Sequence, residues 1–325
     1  MRSSLAGRTA GVAVAAAVLQ LIMIIAFSWP AARTEPRDVP IVVTGPQAGM
    51  VADRLDRERP GAFDVRTRPD EAAARAALQD REAYGAIVAT PSGPKVLTAS
   101  AASPAIAQQL GAVAARLGGG AASSPAEDVV AADSDDPRGA GFGALALPLV
   151  MSGIAAAVLL TFAIPSAGWR AAGAVLFAAL GGLGVAGVAQ GWLSLLPGSY
   201  LAVAGVMSLT VLAVTGAIAG LAAAIGRAGI GVGALTMLLL GNPLSAAASA
   251  PEMLPQPWGE LGQFLPPGAS VTLLRSTAFF DGAGGGGALA VLAAWAVAGL
   301  VLFALGAMRG RTGEEPAVSR EPAPA

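Results

Sequence analysis

The sequence predicts an α-helical polytopic membrane protein with six transmembrane helices and a small α/β extracytoplasmic domain inserted between helices one and two. Three observations lead there. From Gly139 to Ala307 the only acidic or basic side chains are Arg170, Arg227, Glu252, Glu260, Arg275 and Asp281, where a soluble stretch carries charge at about a quarter of its positions. Those charges fall between apolar runs, at 10–29, 142–164, 171–190, 199–225, 229–250 and 286–308, each near the length that crosses a hydrocarbon core as a helix. Residues 39–118 instead alternate short strand-like and charged helical stretches.

The first run (1–30 with its flank) has Arg2 and Arg8 on its N-terminal side. A basic start, an apolar stretch and Ala31-Ala32 also describe a signal peptide. Its length and Pro30 favour a retained span.

The extracytoplasmic domain covers 31–118. Val39 to Thr44 reads as a strand, followed by Gly45-Pro46 and a helix to Arg57. Ala62 to Thr67 alternates as a second strand with Phe63 and Val65 inward. Asp70 caps a helix from Glu71 to Arg81. Tyr84 to Thr90 is a buried-type strand, and Pro91-Ser92-Gly93-Pro94 turns into Lys95 to Thr98. Ser103-Pro104 opens a last helix to Leu117. The charged helices read as solvated faces. Residues 119–141 read as an acidic flexible linker.

The five-helix transmembrane domain spans 142–308, with an outer hairpin at 251–285 and a cytoplasmic tail at 309–325. Arg170, Arg227, Arg309 and Arg311 mark the short connections and the end of the last run. Placing them in the cytoplasm satisfies the positive-inside rule and puts both termini there, in the cytoplasmic membrane. Gly181, Gly182, Gly184 and Gly187, the pair Gly216 and Gly220, and Gly229, Gly231 and Gly233 let helices approach closely. They serve packing within one chain or a subunit interface. Gly241, Asn242 and Pro243 break the fifth run, because proline lacks an amide donor.

The hairpin 251–285 is rich in proline, and Ala269 to Phe280 reads as an amphipathic helix. Trp258, Phe264, Phe279 and Phe280 suit the headgroup level. Two readings stand: a solvated interfacial hairpin, or an outer gate built on Glu252, Trp258, Glu260, Phe264, Arg275 and Asp281.

Composition excludes several chemistries. The chain has no Cys and no His, which removes disulfides, Cys/His zinc sites and imidazole- or thiol-based catalysis. Lys95, the only lysine, follows no Gly-x-x-x-x-Gly run, so no P-loop is present. A net charge of -1 gives no reason to expect nucleic acid. No catalytic motif and no cofactor is expected.

Arg81-Glu82-Ala83-Tyr84-Gly85-Ala86-Ile87-Val88, Gly241-Asn242-Pro243-Leu244, Leu265-Pro266-Pro267-Gly268-Ala269 and Leu274-Arg275-Ser276, in this order of spans, resemble permeases of the type-2 ABC exporter superfamily. The closer likeness is to the subgroup with a large outer domain between spans one and two, which includes the phage-infection-protein-like membrane proteins. The resemblance implies half-transporters that form a homodimer and are driven by a separate cytoplasmic ABC ATPase. It also implies a path through the bilayer lined by spans two, four and five, with Arg170 and Arg227 facing the ATPase. The connection Pro165 to Arg170 is shorter than the coupling segment of those permeases. The alternative is a non-transporting, membrane-anchored extracytoplasmic protein that binds a partner or an envelope component.

Overall fold

The computed structural model describes residues 5–91, 93–117 and 126–312. Arg2, Ser92, the first part of the expected linker and most of the C-terminal tail lie outside the described residues.

Between the first and second long helices the chain folds around a five-stranded sheet. The strands are β1 (Val39–Thr44), β2 (Phe63–Thr67), β3 (Gly85–Thr90), β4 (Gly93–Thr98) and β5 (Glu127–Asp128), in the order β2-β1-β3-β4-β5. β1 pairs in parallel with β2 and β3, β3 with β4 antiparallel, and β4 with β5 in parallel. Parallel neighbours require crossover helices, supplied by α2 (Ala48–Glu58) and α3 (Glu71–Gln79). α3 starts where Asp70 accepts the Ala73 amide at 2.8 Å. Alternation along β1 divides the core. Val39, Ile41 and Val43 pack with Leu55 of α2 and with Ile106 and Leu110 of α4 (Pro104–Leu117). Val42 packs with Ala86, Leu97 and α3 residues Ala74, Ala77 and Leu78 on the other face. Both faces are thus covered, which explains the near-continuous apolar reading of β1 and β3.

The expected acidic linker is in part structured, which corrects the sequence reading. Glu127 pairs β5 to the sheet through Arg75 at 2.7 Å and Lys95 at 3.0 Å. Asp128 accepts the Ser100 amide at 3.0 Å. Asp136, buried, accepts the Phe142 amide at 2.7 Å in the first turn of α5 (Ala140–Ala163). The charges that suggest a solvated tether are the ones that tie it down.

Five helices are long and apolar enough to cross a bilayer: Leu5–Ala32 (α1), Ala140–Ala163 (α5), Ala167–Trp192, Tyr200–Ile225 (α7) and Gly286–Arg309. The third is α6 (Ala167–Ala186) continued by a π-helical turn, and the last is most of α11 (Gly286–Thr312). The chain is a polytopic helical membrane protein. α7 is the most buried, while α1 is exposed along its spanning stretch and touches the π-helical turn Thr236–Gly241. α7 meets α11 through backbone contact: a methyl on Gly299 would lie 2.4 Å from the Gly216 carbonyl carbon, and one on Gly220 would lie 2.6 Å from the Gly299 oxygen. The Gly216/Gly220 pair therefore packs within the chain.

The fifth apolar run departs from expectation. Its helix is α8 (Arg227–Leu235) plus a π-helical turn, Thr236–Gly241, and it stops there instead of continuing to 250. Pro243 cannot donate to a preceding turn, and Ala246 takes a left-handed φ of 55°. After this break come a short 3-10 turn (Pro251–Met253), α9 (Trp258–Gln263) and α10 (Pro266–Phe279).

Candidate functional site

Residues far apart in sequence meet at a junction between the sheet and the hairpin. On the sheet side, α3 ends in a turn where Arg81 adopts a φ of 59°. This reversal sends its guanidinium toward α10. Arg81 Nη1 donates to the Thr272 carbonyl at 3.0 Å and also to the Ser276 hydroxyl. Its charge lies over the Phe280 ring, 5.2 Å from the centroid. Three residues on, the Tyr84 hydroxyl donates to Glu252 Oε2 at 2.7 Å. Beside it the chain entering β1 runs against the 3-10 turn: the Glu35 and Arg37 amides donate to the Met253 and Glu252 carbonyls, each at 3.0 Å.

On the membrane side, Arg275 is 5 % exposed. Its Nη2 donates to the Ala247 carbonyl at 3.1 Å and its Nη1 to the Ser249 carbonyl at 3.3 Å. Its other face lies over Phe142, 4.7 Å from the ring centroid. The physical logic is direct. Unwinding the chain after Gly241 frees carbonyls that need donors, and a forked guanidinium satisfies two of them. Gly241 makes the same break compatible with α10, since a methyl there would sit 2.7 Å from Pro267 Cγ.

Among the described residues, no carboxylate lies within ion-pair distance of Arg81 or Arg275. Burial, and secondly the charge of Arg81, lowers the Arg275 pKa to about 10. Burial also lowers that of Arg81, and burial with the nearby Glu252 carboxylate raises that of Tyr84. A guanidinium remains charged under all such shifts at neutral pH. The junction is therefore a charged, carbonyl-lined clamp.

The hairpin also completes the core of the sheet on both sides. Ala250 and Met253 join the α2/α4 face, and Phe280 joins the α3 face. This corrects the reading of 269–280 as an interfacial amphipathic helix. α10 is buried at most positions, wedged between the sheet and the membrane helices. Phe280 is buried beneath Arg81, and Phe279 stacks edge-on against Phe142 with centroids 6.4 Å apart. The part of the hairpin that exposes apolar side chains is α9. Its Gly259 and Gly262 are buried, while Trp258, Leu261 and the following Phe264 are exposed.

The residues expected at an outer gate divide. Glu252 and Arg275 belong to the junction. Trp258 stands edge-on to Trp29 of α1 with centroids 6.4 Å apart, and Phe264 is exposed while its carbonyl accepts the Trp295 indole at 2.9 Å. Glu260 and Asp281 lie on the surface, Asp281 in a left-handed turn after α10. Asn242 keeps a buried side-chain oxygen without a hydrogen bond. At the far end of the bundle, Arg170 donates to the Ile164 and Pro165 carbonyls, and Arg227 lies over Phe162 at 5.4 Å from the centroid. Both arginines thus finish helix ends.

α5 and α7 are in close contact: a methyl on Gly153 would lie 2.8 Å from Val214 Cγ1, and Thr215 donates to the Gly153 carbonyl at 3.2 Å. Between α5, α7 and α10 a crevice of about 20 Å³ remains, lined by Phe142, Leu149, Met207, Thr210 and Leu274. No protein-family model, curated protein or solved structure matches this chain. Arg81 was visible to sequence reasoning only as part of a motif. The lone arginine of an apolar segment, Arg275, was the available signal for a buried cation.

Proposed function

We propose that this chain is the membrane permease subunit of an ABC-type exporter, acting as a homodimer with a separate cytoplasmic ATPase. The single observation that carries the reading is the clamp. α10 is held by Arg81 on one side and packs against α7 and the rest of the bundle on the other. Movement of the membrane helices is thereby transmitted to the sheet, as alternating exposure of a transport path requires. The closed crevice between α5, α7 and α10 fits a resting state.

In this reading the first helix is a retained span and Arg227–Gly241 is the sixth, shortened by its break. The α/β unit lies outside, and both termini lie in the cytoplasm beside Arg170, Arg227 and Arg309. The absence of a P-loop assigns energy supply to another chain. The closed α5–α7 contact and the short connection after Ala163 favour the second reading, a non-transporting anchor that displays the α/β unit.

Co-expression with the P-loop ATPase encoded nearest to this chain separates the two. The permease reading expects a stable complex and ATP hydrolysis stimulated by the intact chain. It expects loss of stimulation, with the complex retained, in Arg81→Ala. Absence of both complex and stimulation refutes it and leaves the anchor.

A further inference from the structure

At the end of the bundle opposite the sheet, α5 and α6 both pack on α7 and are joined by residues 164–166. The groove between them has a volume of about 550 Å³ and is lined by Leu160, Ile164, Pro165, Trp169, Gly173 and Leu176. Its floor is kept low by Gly173, where a methyl would meet Leu160 Cδ2 at 2.6 Å. Trp169, 74 % exposed, stands at the rim, where indoles favour the headgroup level. From Trp169 to Leu176 the groove runs roughly 10 Å along the helix at about 1.5 Å per residue, most of one leaflet's hydrocarbon depth.

The rim is cationic. Arg170 is fixed beside it by bonds from Nε and Nη2 to the Ile164 and Pro165 carbonyls, and its Nη1 has no hydrogen-bond partner among the described residues. The Ser166 hydroxyl lies on the same rim. Arg227 marks the neighbouring start of α8. The acidic residues between Gly139 and Ala307 are Glu252, Glu260 and Asp281, all in the hairpin at the opposite end. Among the described residues, no carboxylate forms an ion pair with Arg170. An apolar slot long enough to follow an acyl chain, with the Arg170 guanidinium bonded to the carbonyls of two residues that line it, Ile164 and Pro165, matches one occupant from the surrounding leaflet.

We propose that this groove binds an anionic phospholipid, with one acyl chain along Trp169 and Leu176 and its phosphate at Arg170. The site does not depend on the transport reading.

The test uses the full chain purified in detergent and mixed with phosphatidylglycerol or phosphatidylcholine of identical acyl chains, with retained lipid counted by native mass spectrometry. The wild type retains phosphatidylglycerol by about fivefold over phosphatidylcholine, the scale of one guanidinium beside an anionic surface. Arg170→Gln abolishes that preference and Arg170→Lys keeps it. Ala172→Trp, which fills the groove from a lipid-exposed position, lowers retention of both lipids. Equal retention by the wild type, or unchanged retention in Ala172→Trp, overturns the proposal. So does efficient cross-linking between two copies through Ala172→Cys, which would make the groove a protein contact.

Discussion

The hydroxyl of Tyr84, at the start of the third strand, donates a 2.7 Å hydrogen bond to Glu252, 168 residues further along the chain. This bond joins the α/β unit to the segment that follows the broken helix. Tyr84→Phe leaves the part-buried carboxylate without that donor. It is expected to lower stability by about 2 kcal/mol, the scale of a hydrogen bond to a charged group. Thermal unfolding in detergent measures it. Paired with Glu252→Leu, the two losses are expected to be non-additive, because each removes the same interaction.

Arg275→Met removes the donors for the Ala247 and Ser249 carbonyls. A loss of about 3 kcal/mol is expected, as when one partner of a buried charged network is deleted. Arg275→Lys is not expected to restore stability, since an ammonium lacks the planar fork that bonds two carbonyls while lying on Phe142. Unfolding midpoints of the two variants would be equally low. A lysine variant as stable as the wild type would disprove the role assigned to the fork.

Close backbone approach makes the small residues of the membrane helices unequal. Gly299→Val collides with the Gly216 backbone and is expected to cost at least about 2 kcal/mol, the range for overpacking a tight contact. Gly184→Ala and Gly231→Ala face open space and are expected to change stability by less than about 0.5 kcal/mol. Size-exclusion profiles and thermal unfolding of the three variants check the order.

Much of this architecture was legible in the residues, and the misses share a physical cause. The apolar runs announce α1, α5, α6, α7 and α11 because a charge inside a span is costly, and the short apolar run Val39 to Thr44 announces β1. What failed was the placement of polar groups whose partners are distant in sequence. Glu127 and Asp128 read as a solvated tether because Arg75, Lys95 and Ser100 were not known to be adjacent. Arg275 read as a charge at an outer mouth because the carbonyls it satisfies exist only once the helix stops at Gly241. The turn at Arg81, with its positive φ, carries no glycine or asparagine signal, so the direction of its side chain was invisible.

Acid is expected to loosen β5 from the sheet. Glu127 is held at a pKa of about 2, first by its hydrogen bond with Arg75 and then by that with Lys95. A depressed carboxylate contributes fully above its unfolded value, near 4.5, and the contribution falls away as pH drops from there through about 2. The hydrogen-exchange protection of the Val129 amide, which donates to the Thr98 carbonyl at 2.8 Å, taken relative to its intrinsic exchange rate at each pH, is expected to fall over that window. Glu127→Gln should show fast exchange at neutral pH and no further acid step.

The central claim is that the sheet lies on one side of a bilayer and the α5–α6 connection on the other. The chain contains no native cysteine, so single introduced thiols report position without background. Met50→Cys lies on α2 and Gly168→Cys lies in the first turn of α6, beside the connection, both at exposed positions. In intact cells stripped of any outer barrier, a membrane-impermeant maleimide is expected to label position 50 and to reach position 168 only after permeabilisation. Labelling of position 168 in intact cells, or protection of position 50, would contradict the account.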